Sequence, residues 1–431
     1  MLNEGETHVA RRRVFYIPGY DPFPPRRYRE LYRTEAQKQS LISGYRIEQK
    51  VDANETGWTV RGDIEGGRVL TKMDVLVWSD LVQHSMTASI PRTYVALAKT
   101  TWMYISTGAL RRLSWLAKGP VLAALYPVAM LLLQLLIACW IGVFLGNLTA
   151  SLVTVAIAGA AGLVGIALAP TGFLLGLIGA VIFWLIFLPL VVICLRWFKS
   201  HDDKLFAYYL MQDYAYTASQ RGAYPEEVEA RLAEFKRRVE AASLDELDEI
   251  LIVGHSSGAQ LAVSLVADVL RARAARADGP TLSLLTLGQV IPMVSFLPEA
   301  HRLRADLQYL STAEDIAWLD VSAPGDGCSF ALSEPVAVSG VAPSRGQKWP
   351  IVISAAFSKT LKPETLAKLR HRYFRLHFQY LCAFDQPGDY DYFKITAGPK
   401  TLGQRFAERK SSKSRIDVAA SRFTSVVADT P

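Results

Sequence analysis

From Gly119 to Leu195 the chain carries no charged residue and no histidine. A helix needs roughly 20 apolar residues to cross a bilayer, so this block has room for about three crossings. A water-soluble core does not run so far without a charge, and the block reads as membrane-inserted. "LGNLTA" (145–150) and "APTG" (169–172) read as breaks, giving apolar segments near 120–145, 150–169 and 172–195. The sequon at 147–149 reads as part of a short turn. The opening "MLNEGETHVARRR" is polar with no apolar run behind it, which reads as no signal peptide and a start in the cytosol. Arg111, Arg112 and Lys118 precede the block, and Arg196, Lys199 and Lys204 follow it. By the positive-inside rule both flanks are expected in the cytoplasm, in an inner or plasma membrane. That requires an even number of crossings. The expectation is two spanning helices, 120–145 and 172–195, with the Gly/Ala-rich 150–169 re-entrant or packed against them. Residues 93–117 read as an interfacial or lid helix with Trp102 and Tyr104 at headgroup level, since a span there would bury Lys99.

A second feature carries chemistry. "LIVGHSSG" (251–258) is a short apolar run ending in Gly-x-Ser-x-Gly. The run before it, "EILIV", is of β type, and "GAQLAVSLVADV" (258–269) repeats its apolar residues at helical spacing. Strand, sharp turn and helix is the arrangement in which a serine hydroxyl is pushed out for attack. Gly254 and Gly258 let the backbone pass closely there. Ser256 is the candidate nucleophile. The amide of Ser257, at the helix N-terminus, is a candidate oxyanion donor. His255 reads as packing.

Around this motif, strand-like and helix-like stretches alternate. Strands are expected at 13–17, 44–51, 57–64, 74–82, 249–253, 282–288, 316–321 and 350–357. Helices are expected over 26–42, 204–242 and 297–310. This pattern predicts an α/β fold, a doubly wound and mostly parallel sheet with an inserted transmembrane segment. The expected division is a polar tail 1–12, a first part 13–118, the insertion 119–195, a second part 196–404, and a disordered basic tail 405–431. The net charge of +7 is modest, and "RRR" (11–13) lacks the interleaved aromatics of a nucleic-acid module. It reads as a solvated or lipid-facing patch. Four scattered cysteines argue against a disulfide framework or a zinc site. With no His-Glu-x-x-His, phosphate loop or dinucleotide glycine motif present, no cofactor and no metal are expected.

The order of these parts resembles the α/β-hydrolase family, over roughly 13–82 and 204–395. "TLGQVIP" (286–292) is similar to a stretch of the class 3 lipases. Pro18-Gly19 stands where that family usually has His-Gly, and the amide of Tyr20 would supply the second oxyanion donor. The resemblance implies a triad in the order serine, acid, histidine. For the acid, Asp320 and Asp326 are both available, and Asp326, in the turn after the strand, is favoured over Asp320 within it. For the base, His371 and His377 follow the last strand, and His377 is favoured. The implied activity is that of a membrane-anchored serine hydrolase acting on a small-molecule or lipid ester. The alternatives are a catalytically silent hydrolase-fold scaffold or binding protein, and, more weakly, a transporter, since the block's polar residues are few (Gln134 among them) and none is ionisable.

Overall fold

The computed structural model describes the chain except residues 1–7, 22–23, 52–56, 79, 82–88, 164–170, 274–278, 371 and 428–431. The chain divides into two units. One comprises residues 1–85, 100–123 and 216–431, the other residues 86–99 and 124–215.

The first unit is built on an eight-stranded sheet, ordered β2-β3-β4-β1-β5-β6-β7-β8. The strands are β1 (Arg11–Ile17), β2 (Arg46–Val51), β3 (Gly57–Ile64), β4 (Gly67–Val75), β5 (Glu249–His255), β6 (Thr281–Leu287), β7 (Ile316–Ser322) and β8 (Ile351–Ser354). β4, β1, β5, β6, β7 and β8 run parallel, whereas β3 is antiparallel to both β4 and β2. The sheet is therefore mixed, and the mostly parallel expectation holds for six strands and fails at the β2–β3 edge. The burial patterns match. β5 and β7 are buried at every position, as parallel strands covered on both faces must be, whereas β2 alternates half-buried with exposed residues. The expected strand 74–82 is displaced: β4 ends at Val75. Glu65 and Gly66 both take positive φ, 53° and 77°, and close a two-residue hairpin between β3 and β4. The glutamate at the first left-handed position gives no turn signal by itself, and only Gly66-Gly67 marks the hairpin in the sequence.

One sheet face packs Val14, Tyr16, Leu251, Val253 and Leu285 against Tyr28, Tyr32 and Ala36 of helix α1 (Arg26–Ser43) and against Phe393 and Ile395. The opposite face meets the helix after β5, where Gly254 lies against Ala262. The expected single helix 204–242 is interrupted. Gly222, at φ 101°, lies where a Cβ would come within 2.7 Å of Leu297 Cβ, and a helix restarts at Glu226–Ala242. The tail expected to be disordered is ordered through residue 427. Ile416 N–H donates to Leu332 O, Ala420 N–H to Val338 O, and Ser425 O accepts from Arg304 Nε. The run of three arginines is split by the strand's two-residue period. Arg12 is buried against Glu249, while Arg13 pairs with Asp74 at 2.6 Å.

Within this unit, helix α2 (Ile90–Ser106) contributes its last turns, followed by α3 (Ala109–Leu116). Tyr104, expected at headgroup level, instead faces inward and donates its hydroxyl to Met293 O at 2.9 Å. Trp102 is 70% exposed.

The second unit contains two helices long and apolar enough to cross a membrane, α4 (Lys118–Leu163) and α5 (Thr171–Ser200). At 1.5 Å per residue α4 is about 69 Å long and α5 about 45 Å. The expected break at 145–150 does not occur, so residues 150–163 continue α4 and the rest of the expected 150–169 segment lies outside the described residues. Thr149 returns its hydroxyl to Leu145 O, and Gly146 and Gly142 are packing positions rather than turns. A Cβ on them would lie 2.9 Å from Phe183 and 2.8 Å from Phe187 of α5. Small residues four apart admit the rings of the neighbouring helix. The other expected break falls largely in residues 164–170, outside the described residues.

β1 comes before the apolar helices and β5 after them, yet the two are paired from Arg12↔Glu249 to Ile17↔Gly254. This pairing predicts that both flanks lie on one side of any membrane the helices cross. Single cysteines at Ser114 and Ser200 are expected to react with an impermeant maleimide from the same side, with the unsubstituted chain as background. Labelling from opposite sides would be incompatible with the β1–β5 pairing.

Candidate active site

The turn after β5 is cramped by its neighbours. A Cβ on Gly258 would lie 2.3 Å from Ile17 O, and one on Gly254 would lie 2.6 Å from Ala262 Cβ. Both expected glycines are thus steric requirements of the way β1, β5 and helix α6 (Gly258–Arg273) converge. Between them Ser256 takes φ 57°, a left-handed conformation costing a non-glycine residue roughly 1–3 kcal/mol. Its N–H donates to Leu287 O and its carbonyl accepts from Ala259 N–H, which hold that conformation. Gly19 abuts the serine: a Cβ there would sit 3.0 Å from Ser256 Cβ and 3.4 Å from Oγ.

Asp326 and His377 meet. Asp326 Oδ2 accepts from His377 Nδ1 at 2.7 Å and from the Tyr380 hydroxyl at 2.9 Å, while Oδ1 accepts from Cys328 N–H at 2.9 Å. Burial alone would raise this carboxyl. His377 and the hydrogen bonds reverse that and hold it below its ordinary value. With the proton on Nδ1, the other ring nitrogen carries the lone pair. His377 Nε2 is buried and has no hydrogen-bond partner among the described residues. Gly288, at φ 50°, closes the pair in: a Cβ there would lie 3.0 Å from His377 Cε1 and 3.3 Å from Asp326 Oδ2.

His255 has more than a packing role. Its ring stacks on that of His377, centroids 4.7 Å apart, and its Nε2 lies 3.1 Å from the His377 carbonyl. A carbonyl only accepts, so Nε2 carries the proton and Nδ1 accepts from the Tyr16 hydroxyl at 3.3 Å. Burial first, then neighbouring His377, push its pKa down to about 3, so the ring is neutral. His255 thereby ties the residue before Ser256 to the backbone of His377. The sequence held its residue type but not its direction. Gly288 and Tyr380 were likewise unassigned.

Of the two expected oxyanion donors, Ser257 N–H heads α6, where the first amides have no intrahelical partner. Tyr20 N–H donates to Ser257 Oγ at 2.8 Å, so this amide is engaged rather than open. The Tyr20 ring is buried against Trp78 and Tyr216. His371 lies outside the described residues.

Asp320 is set apart from the pair. It is buried in β7, where Thr286 donates to Oδ1 at 2.6 Å and Oδ2 has no partner among the described residues. Burial pushes its pKa up to about 7. Cys328 Sγ, with ligand atoms of Asp326 and His377, falls within a 4.8 Å group. Burial and Asp326 push this thiol up to about 12, and the Asp326–His377 hydrogen bond already engages the other two groups. No family model, curated protein or solved structure significantly matches the chain.

Asp320 gives a signed test. A carboxyl with a folded pKa above its unfolded value of about 3.9 stabilises the fold fully below that pH. The contribution is lost as pH rises toward 7. Asp320→Asn keeps the acceptor for Thr286 and cannot ionise. The variant is expected to lose less unfolding temperature between pH 5 and pH 8 than the native chain (about the span of the raised titration). Identical profiles would show that Asp320 does not titrate there.

Proposed function

We propose that the protein is a membrane-anchored serine hydrolase of α/β-hydrolase type, cleaving a long-acyl or lipid ester through an acyl-enzyme. The observation that carries this reading is Ser256 at φ 57° on a strand-to-helix turn, together with a buried pair formed by Asp326 on a loop and His377 at the end of a short helix. His377 Nε2 accepts the Ser256 proton as Oγ attacks the acyl carbon, and returns it to the departing alkoxide. A water then repeats the sequence and releases the acid. Asp326 fixes the Nδ1–H tautomer and stabilises the imidazolium. The Ser257 amide faces the oxyanion, and the Tyr20 amide joins it once Ser257 Oγ turns away. Two apolar helices of spanning length support attachment to a membrane, and the basic residues on both flanks support a cytoplasmic catalytic unit.

The lipid-type substrate is supported by position. Gly119, in the first turn of α4, packs on Gly327, where a Cβ would be 3.2 Å from its carbonyl. The loop bearing Asp326 thus touches the start of an apolar helix. A substrate drawn from there would avoid exposing its chain to water at about 0.8 kcal/mol per CH₂. The engaged Tyr20 amide favours a second reading, a silent hydrolase-fold scaffold. Reaction with a fluorophosphonate separates them. Native protein should label at Ser256, and Ser256→Ala should lose labelling and about 10⁴- to 10⁶-fold of esterase turnover. Absence of labelling in the native protein would leave the scaffold.

His255 offers a finer test. His255→Ala leaves the His377 carbonyl unpaired, a loss of about 1–3 kcal/mol. Labelling at Ser256 should slow about 10- to 100-fold. His255→Gln retains an N–H donor and should recover part of that rate. Unchanged labelling in the alanine variant would mean the stacked ring has no positioning role.

A further inference from the structure

The base sits at the end of a short helix, Tyr373–His377, whose approach is unusually basic and aromatic. Lys368, Arg370 and Arg372 are exposed and form no ion pair among the described residues. Tyr373 follows them, 59% exposed. Glu364, one helical turn before Lys368, is the nearest acidic residue in sequence, and among the described residues none of the three cations pairs with it. Its position is equally informative. Gly327 lies 3.7 Å, from an added Cβ, to the Tyr373 ring, and Gly119 of α4 packs on the other side of Gly327. The cluster therefore stands two contacts from the point where the chain enters a helix of membrane-spanning length.

The preceding segment carries a matching face. Along the end of α2, Thr100, Tyr104 and Thr107 are buried while Trp102 and Ile105 are 70% and 53% exposed. On α3, Trp115 is 65% exposed and shares a helix face with exposed Arg111, four residues earlier. At the end of α2 the inward side is thus the more polar one, the reverse of a helix with its outer face in water, whereas α3 buries Ala109, Leu113 and Leu116 and exposes Trp115 beside Arg111. Tryptophan and tyrosine beside arginine and lysine is the composition suited to the headgroup layer, rings at the acyl boundary and cations on phosphate.

We propose that Lys368, Arg370, Arg372 and Tyr373, with the outer face of Trp102 and Trp115, dock on an anionic lipid surface, and that this contact steadies the helix carrying His377. The docking stands on the surface itself; only its effect on turnover rests on the hydrolase reading. Each cation near an anionic leaflet attracts it modestly, and salt screens that attraction over about 10 Å at 0.1 M.

The test uses the full chain at one copy per vesicle, in phosphatidylcholine alone or with a quarter phosphatidylglycerol. Hydroxyl-radical oxidation of each residue is read by mass spectrometry, with Leu244, 80% exposed, as the water-facing reference. Tyr373 should be oxidised several-fold more slowly in the anionic vesicles. High salt, or the triple variant Lys368→Gln/Arg370→Gln/Arg372→Gln, should remove that difference. Trp102 and Trp115 should be protected in both vesicles. Equal oxidation of Tyr373 in the two vesicles would overturn the proposal. Protection that appears only at many copies per vesicle would assign the face to a second copy and overturn it too. In parallel, a water-soluble fluorophosphonate should label native Ser256 faster in anionic vesicles, and the triple variant should keep only the slower rate. Failure of Ser256 to label in either vesicle would remove the hydrolase reading while leaving the Tyr373 result to stand or fall by itself.

Discussion

The pairing of β1 with β5 is the constraint on which the rest depends. These strands are separated in sequence by the whole apolar insertion, yet they are neighbours at the centre of the sheet. A buried ion pair marks the joint. Arg12 is held by Glu249, and donates also to Gly398 O at 2.7 Å and Lys400 O at 2.6 Å. Glu249 accepts in turn from Ser283 and from Leu402 N–H, each at 2.7 Å. With every charge-bearing atom supplied with partners, the desolvation of both ions is offset. Removing one of them would leave the other uncompensated at about 3–5 kcal/mol. The same pairing sets the site, because the chain leaves β1 at Ile17-Pro18-Gly19, and those backbone atoms press on Gly258 and Ser256.

Asp320 and Asp326 show how finely one loop can separate two identical side chains. They lie six positions apart, and both are buried. Asp326 receives donors from a ring, a phenol and an amide, so its charge is stabilised against burial. Asp320 receives one hydroxyl, and burial prevails. The difference is the number of donors that the surrounding backbone turns toward each oxygen. A strand interior presents few spare amides, whereas the turn at Cys328 presents one directly.

That difference also explains how much was legible beforehand. Gly254, Ser256 and Gly258 could be read because their pattern is local: strand, turn and helix are contiguous and each glycine answers a nearby clash. Asp326 could be ranked over Asp320 because an ionised carboxylate inside a strand needs a dedicated partner, and His377 over His371 because it sits where a polar helical run meets an apolar one. The direction of His255 could not be read, because it depends on a residue more than a hundred positions later. The continuity of α4 was hidden for a related reason. Gly146 looks like a breaker until Phe183 of the facing helix is known to fill the space above it. The β3–β4 hairpin escaped because Glu65 has no intrinsic preference for the φ it adopts. The buried Arg12 was missed because a triplet of arginines looks uniform until the strand's alternation separates its members.

Four glycines around the serine make a single steric argument. Added side chains at Gly19, Gly254, Gly258 and Gly288 would meet Ser256, Ala262, Ile17 and Tyr380 respectively, each at 3.0 Å or less. Ser256 therefore keeps its left-handed backbone because the strand, the helix and two loops leave no relaxed alternative. The cost of that conformation is local and small beside the burial of β5, whose seven residues are all inside. A turn so constrained fixes where Ser256 Cβ sits, and His255 next to it carries the same constraint to His377 through a stacked ring and a backbone carbonyl. Ser256 and His377 are thereby linked through a single residue, His255, the last of β5.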